Sequence, residues 1–252
     1  MSTDPMPIPA PDAQPVAKVS PFGRIIGVLF SPKATFEDIV RKPSCLLPLI
    51  LLAVLGLIAA VGINQKMNWR DYISQQIEKS PAAAQLSSEQ KEQRIEAGAK
   101  IAPISAYAFG VPAPVIVVLV IALIMWGAYN LLAGAGLNYK TSLAIVSHAF
   151  VPAMVGNILF FIVLFLKPYG TLDLENPVAT NVAAFLPEDS AKWLVALTKN
   201  LDIFILWMTL LIAIGFAVAN PKKLKGGKSY GIAFGMLAVW IILRVGIAFA
   251  FS

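Results

Sequence analysis

The chain has 252 residues, of which 58% are hydrophobic and only 13% are charged. Soluble domains are about half apolar and about a quarter charged, so this chain has too little charge to cover a water-soluble globule. The formal net charge is +6. Because the basic residues lie beside long apolar runs, the simplest partner is a bilayer with anionic headgroups and not a nucleic acid. The composition therefore indicates an integral membrane protein.

Residues 1–20 are rich in proline, which opposes helix formation and donates no backbone hydrogen bond, and we expect a disordered tail. This tail lacks a charged start followed by an apolar run, so no cleaved signal peptide is predicted and the first span acts as its own insertion signal. Cys45 is the only cysteine, which excludes an intrachain disulfide.

Two short amphipathic segments follow within 21–43. In PFGRIIGVLF and KATFEDIVRK the apolar residues recur at helical spacing, and Ser31-Pro32 between them suits a helix start. Both segments are too short to cross a bilayer, so they are predicted to be interfacial helices. The basic side chains that we expect to reach headgroups from them are Arg24, Lys33, Arg41 and Lys42.

Five apolar runs are long enough, at about 1.5 Å of rise per residue, to cross about 30 Å of hydrocarbon as helices. The sequence therefore predicts an all-α, polytopic bundle of five transmembrane helices. The predicted spans cover about 45–63, 110–133, 141–166, 201–219 and 229–251, within one membrane domain at 21–251.

Two hydrophilic segments separate these spans. The insertion 64–103 is predicted to form a helical hairpin outside the membrane, although a ligand site there is the alternative. Its first helix is expected at about 66–79, and Ser87 with Gln90 resembles a capping box that opens the second. In the loop 168–200, a short helix from about 189 to 200 is expected at the interface.

The lysines and arginines indicate the orientation. The first 44 residues hold five of them, and the turn 220–228 holds four, which we also expect to contact headgroups: Lys222, Lys223, Lys225 and Lys228. With five spans both segments lie on one side, and basic residues favour the cytoplasmic side. The N-terminus is therefore predicted inside and the C-terminus outside.

One charged residue, Arg244, lies well inside a predicted span, where charge is costly and often functional. An intramembrane pair with Asp202 is geometrically reasonable because the last two spans form an antiparallel hairpin. Arg244 could instead extend to the outer interface or belong to a substrate or ion site.

The remaining candidates are polar core residues. His148 is the only histidine and has no metal-ligand spacing around it, so we expect a hydrogen-bonded core role, and Asn157 is expected to bond across helices. Hydrolase and nucleotide-binding motifs are absent, so no catalytic, cofactor-binding or metal residues are predicted. Gly231-x-x-x-Gly235 permits close helix approach, either within the bundle or in a homo-oligomer.

Three stretches resemble Yip-domain membrane proteins. They are FSPKATFEDIVRKPSCLLPL, HAFVPAMVGNIL and LDIFILWMTLLIAIGFAVANPKKLKGGKSYG, the last with Asp202, Trp207, Gly215 and a lysine-rich turn in the family's order. The resemblance implies five spans with a cytoplasmic N-terminus. Eukaryotic members are associated with Rab-type GTPases, but their long cytoplasmic domain is here a short tail. The insertion 64–103 resembles the bacterial branch, so we expect a bacterial inner membrane location and do not carry over GTPase binding.

These observations predict a non-enzymatic membrane protein that organises the membrane or binds a partner, either a membrane protein or a second copy. The alternative is a channel or transporter for small solutes or ions, with Arg244, Asp202 and His148 along a polar path.

Overall fold

The computed structural model describes residues 19–174, 176–187 and 189–250. The predicted tail 1–20 falls almost wholly outside them. The described residues form eleven α-helices and two short 3-10 helices at Pro81–Gln85 and Val182–Phe185. The α-helices, numbered α1 to α11, are Pro21–Phe30, Pro32–Arg41, Leu46–Lys66, Trp69–Glu78, Ser88–Gly110, Pro112–Ala133, Tyr139–Ala149, Val151–Leu166, Lys192–Lys199, Ile203–Ala219 and Lys228–Ala250.

The helical membrane class predicted from the sequence is confirmed. Four segments of the described chain are long and apolar enough to cross a bilayer: α3, α6, α7 with α8, and α11. The segment of α7 and α8 has 28 residues and breaks at Phe150, just before Pro152, which has no N–H to continue the helix. α10 is apolar but has 17 residues.

The helices α1 and α2 form a hairpin that belongs to the bundle core. Val28, Phe36 and Ile39 are fully buried, and α2 packs against α7 and α10. Phe36 lies against Gly215 near the end of α10. The opposite face of α1 exposes apolar side chains. The sequence prediction of two separate interfacial helices did not include this packing, because the periodicity of one helix does not say what covers its apolar face.

Arg24 is not available to headgroups, so this part of the sequence prediction is wrong. Its side chain is 3% exposed, and its Nε lies 2.9 Å from Oδ2 of Asp38. The guanidinium also donates to the carbonyls of Asp38 and Lys42 and to the hydroxyl of Ser44. A buried arginine needs such partners because desolvation of an unpaired charge is costly. The Arg24 side chain therefore joins α1 to α2 and to the segment between α2 and α3.

A second polar cluster joins α6, α10 and α11. The ring of Tyr129 stacks on Phe216 with 3.9 Å between centroids, and its hydroxyl donates to the carbonyl of Ser229. The hydroxyl of Ser229 donates to the carbonyl of Ala213, 2.6 Å away. All these atoms are buried, so the cluster fixes how the last two helices meet the bundle.

The insertion contains a helical hairpin of α4 and α5. The predicted capping box is confirmed, since the N–H of Gln90 donates to the Ser87 hydroxyl and Gln90 Oε1 accepts from the Ser87 N–H. Arg70 pairs with Glu92 between the two helices, and this hydrogen bond raises the pKa of the guanidinium. α5 runs on to Gly110, so its second half lies against α3 and not outside the bundle.

Candidate functional site

A polar pocket of about 380 Å³ lies where α9 ends and α10 begins. Its walls are α8, the segment 176–181 and the first turn of α10. Most of its polar side chains are neutral amides and hydroxyls, with one acid and one lysine among them. The polar residues that line it are Asn157, Asn176, Thr180, Asn181, Lys199 and Asp202.

Asp202 is held rigidly in this pocket. Its Oδ1 accepts from the backbone N–H groups of Phe204, at 2.8 Å, and Ile205, at 3.3 Å, which is an N-cap on α10. Its Oδ2 accepts from the hydroxyl of Thr180. The chain around it is fixed as well, because Asn181 and Asp202 form an antiparallel bridge. The carboxylate also stabilises α10 through the positive end of the helix dipole.

Asn181 leaves one hydrogen-bond acceptor unused. Its Nδ2 donates to Oδ1 of Asn176 at 2.9 Å, whereas its own Oδ1 is buried and has no partner in the described part of the chain. A buried acceptor without a donor costs about 1–3 kcal/mol. Such atoms are uncommon in native proteins and call for an explanation, which a bound molecule with a donor group can supply.

The polar pocket lies inside the bundle, some distance from the end at which α3 and α8 finish. Lys66 Nζ donates to the carbonyls of Phe165 and Lys167, so α3 and α8 end at the same level. Phe204, in the first turn of α10, packs instead beside Gly156, where an added Cβ would lie 3.2 Å from its ring. Gly156 precedes Phe165 by nine residues, or about 14 Å of helix. The start of α10 is therefore well inside the span of α3.

An apolar groove of about 730 Å³ lies on the other side of α8. Its walls come from α3, α5, α6 and α8, and Trp69 and Tyr72 of α4 stand at one end. The groove exists because small residues line it, among them Gly56, Ala59 and Ala106. Ala153 and Asn157 line both the groove and the polar pocket, so the two cavities meet along one edge of α8.

The structure does not bring Arg244 and Asp202 together. Arg244 lies on the exposed face of α11, with its guanidinium carbon 5.7 Å from the ring centroid of Trp240. That distance allows a cation–π contact. Asp202 makes its described contacts with Thr180 and with the start of α10.

His148 lies in the core and outside both cavities. It is 1% exposed, and its Nδ1 lies 2.8 Å from the carbonyl of Ala144 one turn earlier. Asn157 does line the polar pocket, and its Nδ2 donates to the carbonyl of Ala153. Arg244, Asp202 and His148 therefore do not come together in the polar pocket or in the apolar groove.

The remaining predicted headgroup contacts are exposed at one end of the bundle, and we call them the basic rim. The turn that carries four of them is held by Leu224, which is 2% exposed, and by Asn220, whose Nδ2 donates to the carbonyl of Ala135. Gly226 and Gly227 have positive φ angles, which allow the tight turn. The rim comprises Lys33, Arg41, Lys42, Lys222, Lys223, Lys225 and Lys228.

Sequence reasoning missed Thr180 and Asn181. They lie in a loop without periodicity, and their roles depend on a pairing with 201–203 that spacing does not reveal. The available signal was a cluster of amides and hydroxyls, at 176, 180 and 181, next to two apolar spans. In that setting polar side chains need partners, so the cluster favoured contact with the only acid at a span end.

The family model of the Yip1 domain matches residues 26–245. The chain belongs to the Yip1 domain family. This confirms the resemblance seen in the three sequence stretches. The chain is also similar to the membrane protein YknW of Bacillus subtilis (strain 168), with 28% identity over 219 residues, which cover 86% of this chain and 87% of that protein. No solved structure matches the chain significantly.

Proposed function

We propose that this Yip1-family protein is a non-enzymatic scaffold of a bacterial inner membrane, which organises anionic lipid or a membrane-protein partner around its cytoplasmic end. The observation that carries the proposal is the basic rim. Seven exposed cations share one end of the bundle, and the packing of α2 against α10 and the buried Leu224 fix their positions. Cations next to an anionic leaflet contribute about 1 kcal/mol each.

The proposal includes five spans, with the N-terminus inside and the C-terminus outside. α10 alone is short, but α9 packs against α11 and makes no comparable contact with α10 among the described residues. We infer that α9 continues in the direction of α10 beyond its first residue, and that α9 does not fold back along α10. Residues 192–219 then form a fourth span of 28 residues, broken at 200–202, the same length as the broken span 139–166.

The break at 200–202 also favours a second candidate function, a transporter for a small solute, because broken helices often form binding sites in transporters. This candidate uses Asp202 and Asn157 in the polar pocket, and neither Arg244 nor His148. Flux measurements on purified protein in liposomes separate the two functions. If the protein is a scaffold, liposomes that contain it should show the same solute flux as protein-free liposomes. Additional flux that Asp202→Asn abolishes would establish the transporter.

The rim has a direct test in the lipids that the protein retains. Replacing the four turn lysines with glutamine is expected to lower the anionic lipid retained after detergent extraction at least tenfold, since about 4 kcal/mol of attraction is removed. Phosphorus analysis of the purified protein measures it. The matched control replaces Lys79, Lys91, Arg94 and Lys100 of the hairpin with glutamine and should retain lipid as the wild type does. Equal retention in both variants contradicts the proposal.

A further inference from the structure

The polar pocket and the apolar groove together have the shape of a site for one elongated molecule. Both are lined by Ala153 and Asn157, which lie one turn apart on α8. A molecule that crosses this edge places one end against amides and charges and the other against aliphatic side chains. This juxtaposition requires an amphiphile, and it does not depend on the proposed scaffold role or on the orientation of the chain.

The groove suits an acyl chain. Its volume, about 730 Å³, lies in the range of about 300–1,000 Å³ that is usual for ligand sites. Its lining is almost entirely aliphatic and aromatic, and it runs from Trp69 at one end to Leu52 and Val117 at the other. Ala59 and Ala106 keep it open, because larger side chains at these positions would fill it.

The polar pocket sets the chemistry of the head. It contains one carboxylate, Asp202, and one ammonium, Lys199, so a head with both signs of charge matches it. The buried Oδ1 of Asn181 needs a hydrogen-bond donor and finds none in the described chain. A trimethylated ammonium has no N–H to donate, whereas a primary ammonium has three.

We propose that an aminophospholipid binds here, with its primary ammonium against Asp202 and Asn181 and one acyl chain in the groove. The phosphate of the same head lies toward Lys199. The combination of a carboxylate, a buried acceptor without a donor and a contiguous apolar groove selects this class over lipids whose head has no charged group and over lipids whose head has only negative charge.

The test compares three lipids of identical chains on the full-length protein in detergent. Phosphatidylethanolamine, phosphatidylcholine and phosphatidylglycerol are added separately, and native mass spectrometry measures the affinity of each at the first bound position. We expect phosphatidylethanolamine to bind about tenfold more tightly than phosphatidylcholine, the difference that one buried hydrogen bond makes. Equal affinities for these two overturn the proposal. Because the basic rim is expected to bind phosphatidylglycerol, that lipid is compared on the variant whose four turn lysines are glutamine, where a preference for it over phosphatidylethanolamine also overturns the proposal.

Two variants locate the site. Asn181→Leu removes the acceptor and Ala59→Phe fills the groove, and each is expected to reduce phosphatidylethanolamine binding about tenfold. The control is Ile242→Phe, which adds a similar ring on the exposed face of α11 and should bind as the wild type does. Unchanged binding in both variants places the lipid elsewhere and overturns the proposal. The comparison of lipids on the wild type remains decisive if a variant fails to fold.

Discussion

Replacing Asp38 with alanine is expected to destabilise the protein by about 3–5 kcal/mol, because it leaves Arg24 buried without its counter-charge. Arg24 is 3% exposed and cannot reach solvent without leaving the hairpin of α1 and α2. The loss would loosen the hairpin from α7 and α10, against which α2 packs. Thermal unfolding of the purified protein in a mild detergent measures the effect as a lower midpoint.

The control for this prediction is the neighbouring Glu37→Ala, since Glu37 is exposed on the same helix and should change stability by less than about 0.5 kcal/mol. A double variant, Arg24→Met with Asp38→Leu, should recover most of the loss, because apolar pairs of similar volume can replace buried ion pairs. If Asp38→Ala unfolds at the wild-type temperature, the hairpin is not part of the core.

The second large effect is expected at Gly56. An added Cβ there would overlap the backbone carbonyl of Gly110, which cannot rotate away as a side chain can. Gly56→Ala is therefore expected to cost about 1–3 kcal/mol by overpacking, and Gly56→Val more. The strain would separate α3 from the junction of α5 and α6, which also forms one wall of the apolar groove.

A matched glycine in α11 is expected to change stability in the opposite direction. Gly231 lies inside α11, and an added Cβ meets nothing within 4 Å. Gly231→Ala should stabilise its helix by up to about 1 kcal/mol, which is the ordinary gain of alanine over glycine. Unfolding midpoints of the two alanine variants in one detergent decide the matter. Two variants of equal stability would mean that α3 and α5 do not approach as closely as described.

Periodicity and length were sufficient to predict the long apolar helices. The second span was predicted at about 110–133, and α6 runs from Pro112 to Ala133. The third was predicted at about 141–166, and it contains Pro152 next to the break at Phe150. These features follow from local chemistry, namely apolar runs and the missing proline N–H, so the sequence contains them.

The burial of Arg24 could not be predicted from charge counting, because the counterpart Asp38 lies 14 residues away across a turn. One local signal was available. Arg24 precedes Val28 by four residues, so both lie on one face of α1, and Val28 is fully buried. A charged residue on the buried face of a short helix needs a partner on the next helix.

The candidate site was predicted in part. Asp202 and Asn157 were identified as polar residues of interest, and both line the pocket. The partner expected for Asp202 was Arg244, since antiparallel spans bring their ends together. In the structure Asp202 accepts hydrogen bonds from Thr180 and from the first N–H groups of α10, because these groups are nearer and the helix start needs a cap.

The most direct test of the central claim, five spans with the fourth formed by α9 and α10, is single-cysteine labelling. Cys45 is the only cysteine, so Cys45→Ser gives a cysteine-free background. One cysteine is then placed at Asp189, at Lys225 or after Ser252, and intact cells are treated with a membrane-impermeant maleimide. Five spans predict labelling at 189 and after 252, and labelling at 225 only after permeabilisation. Labelling of 189 and 225 from the same side would contradict it.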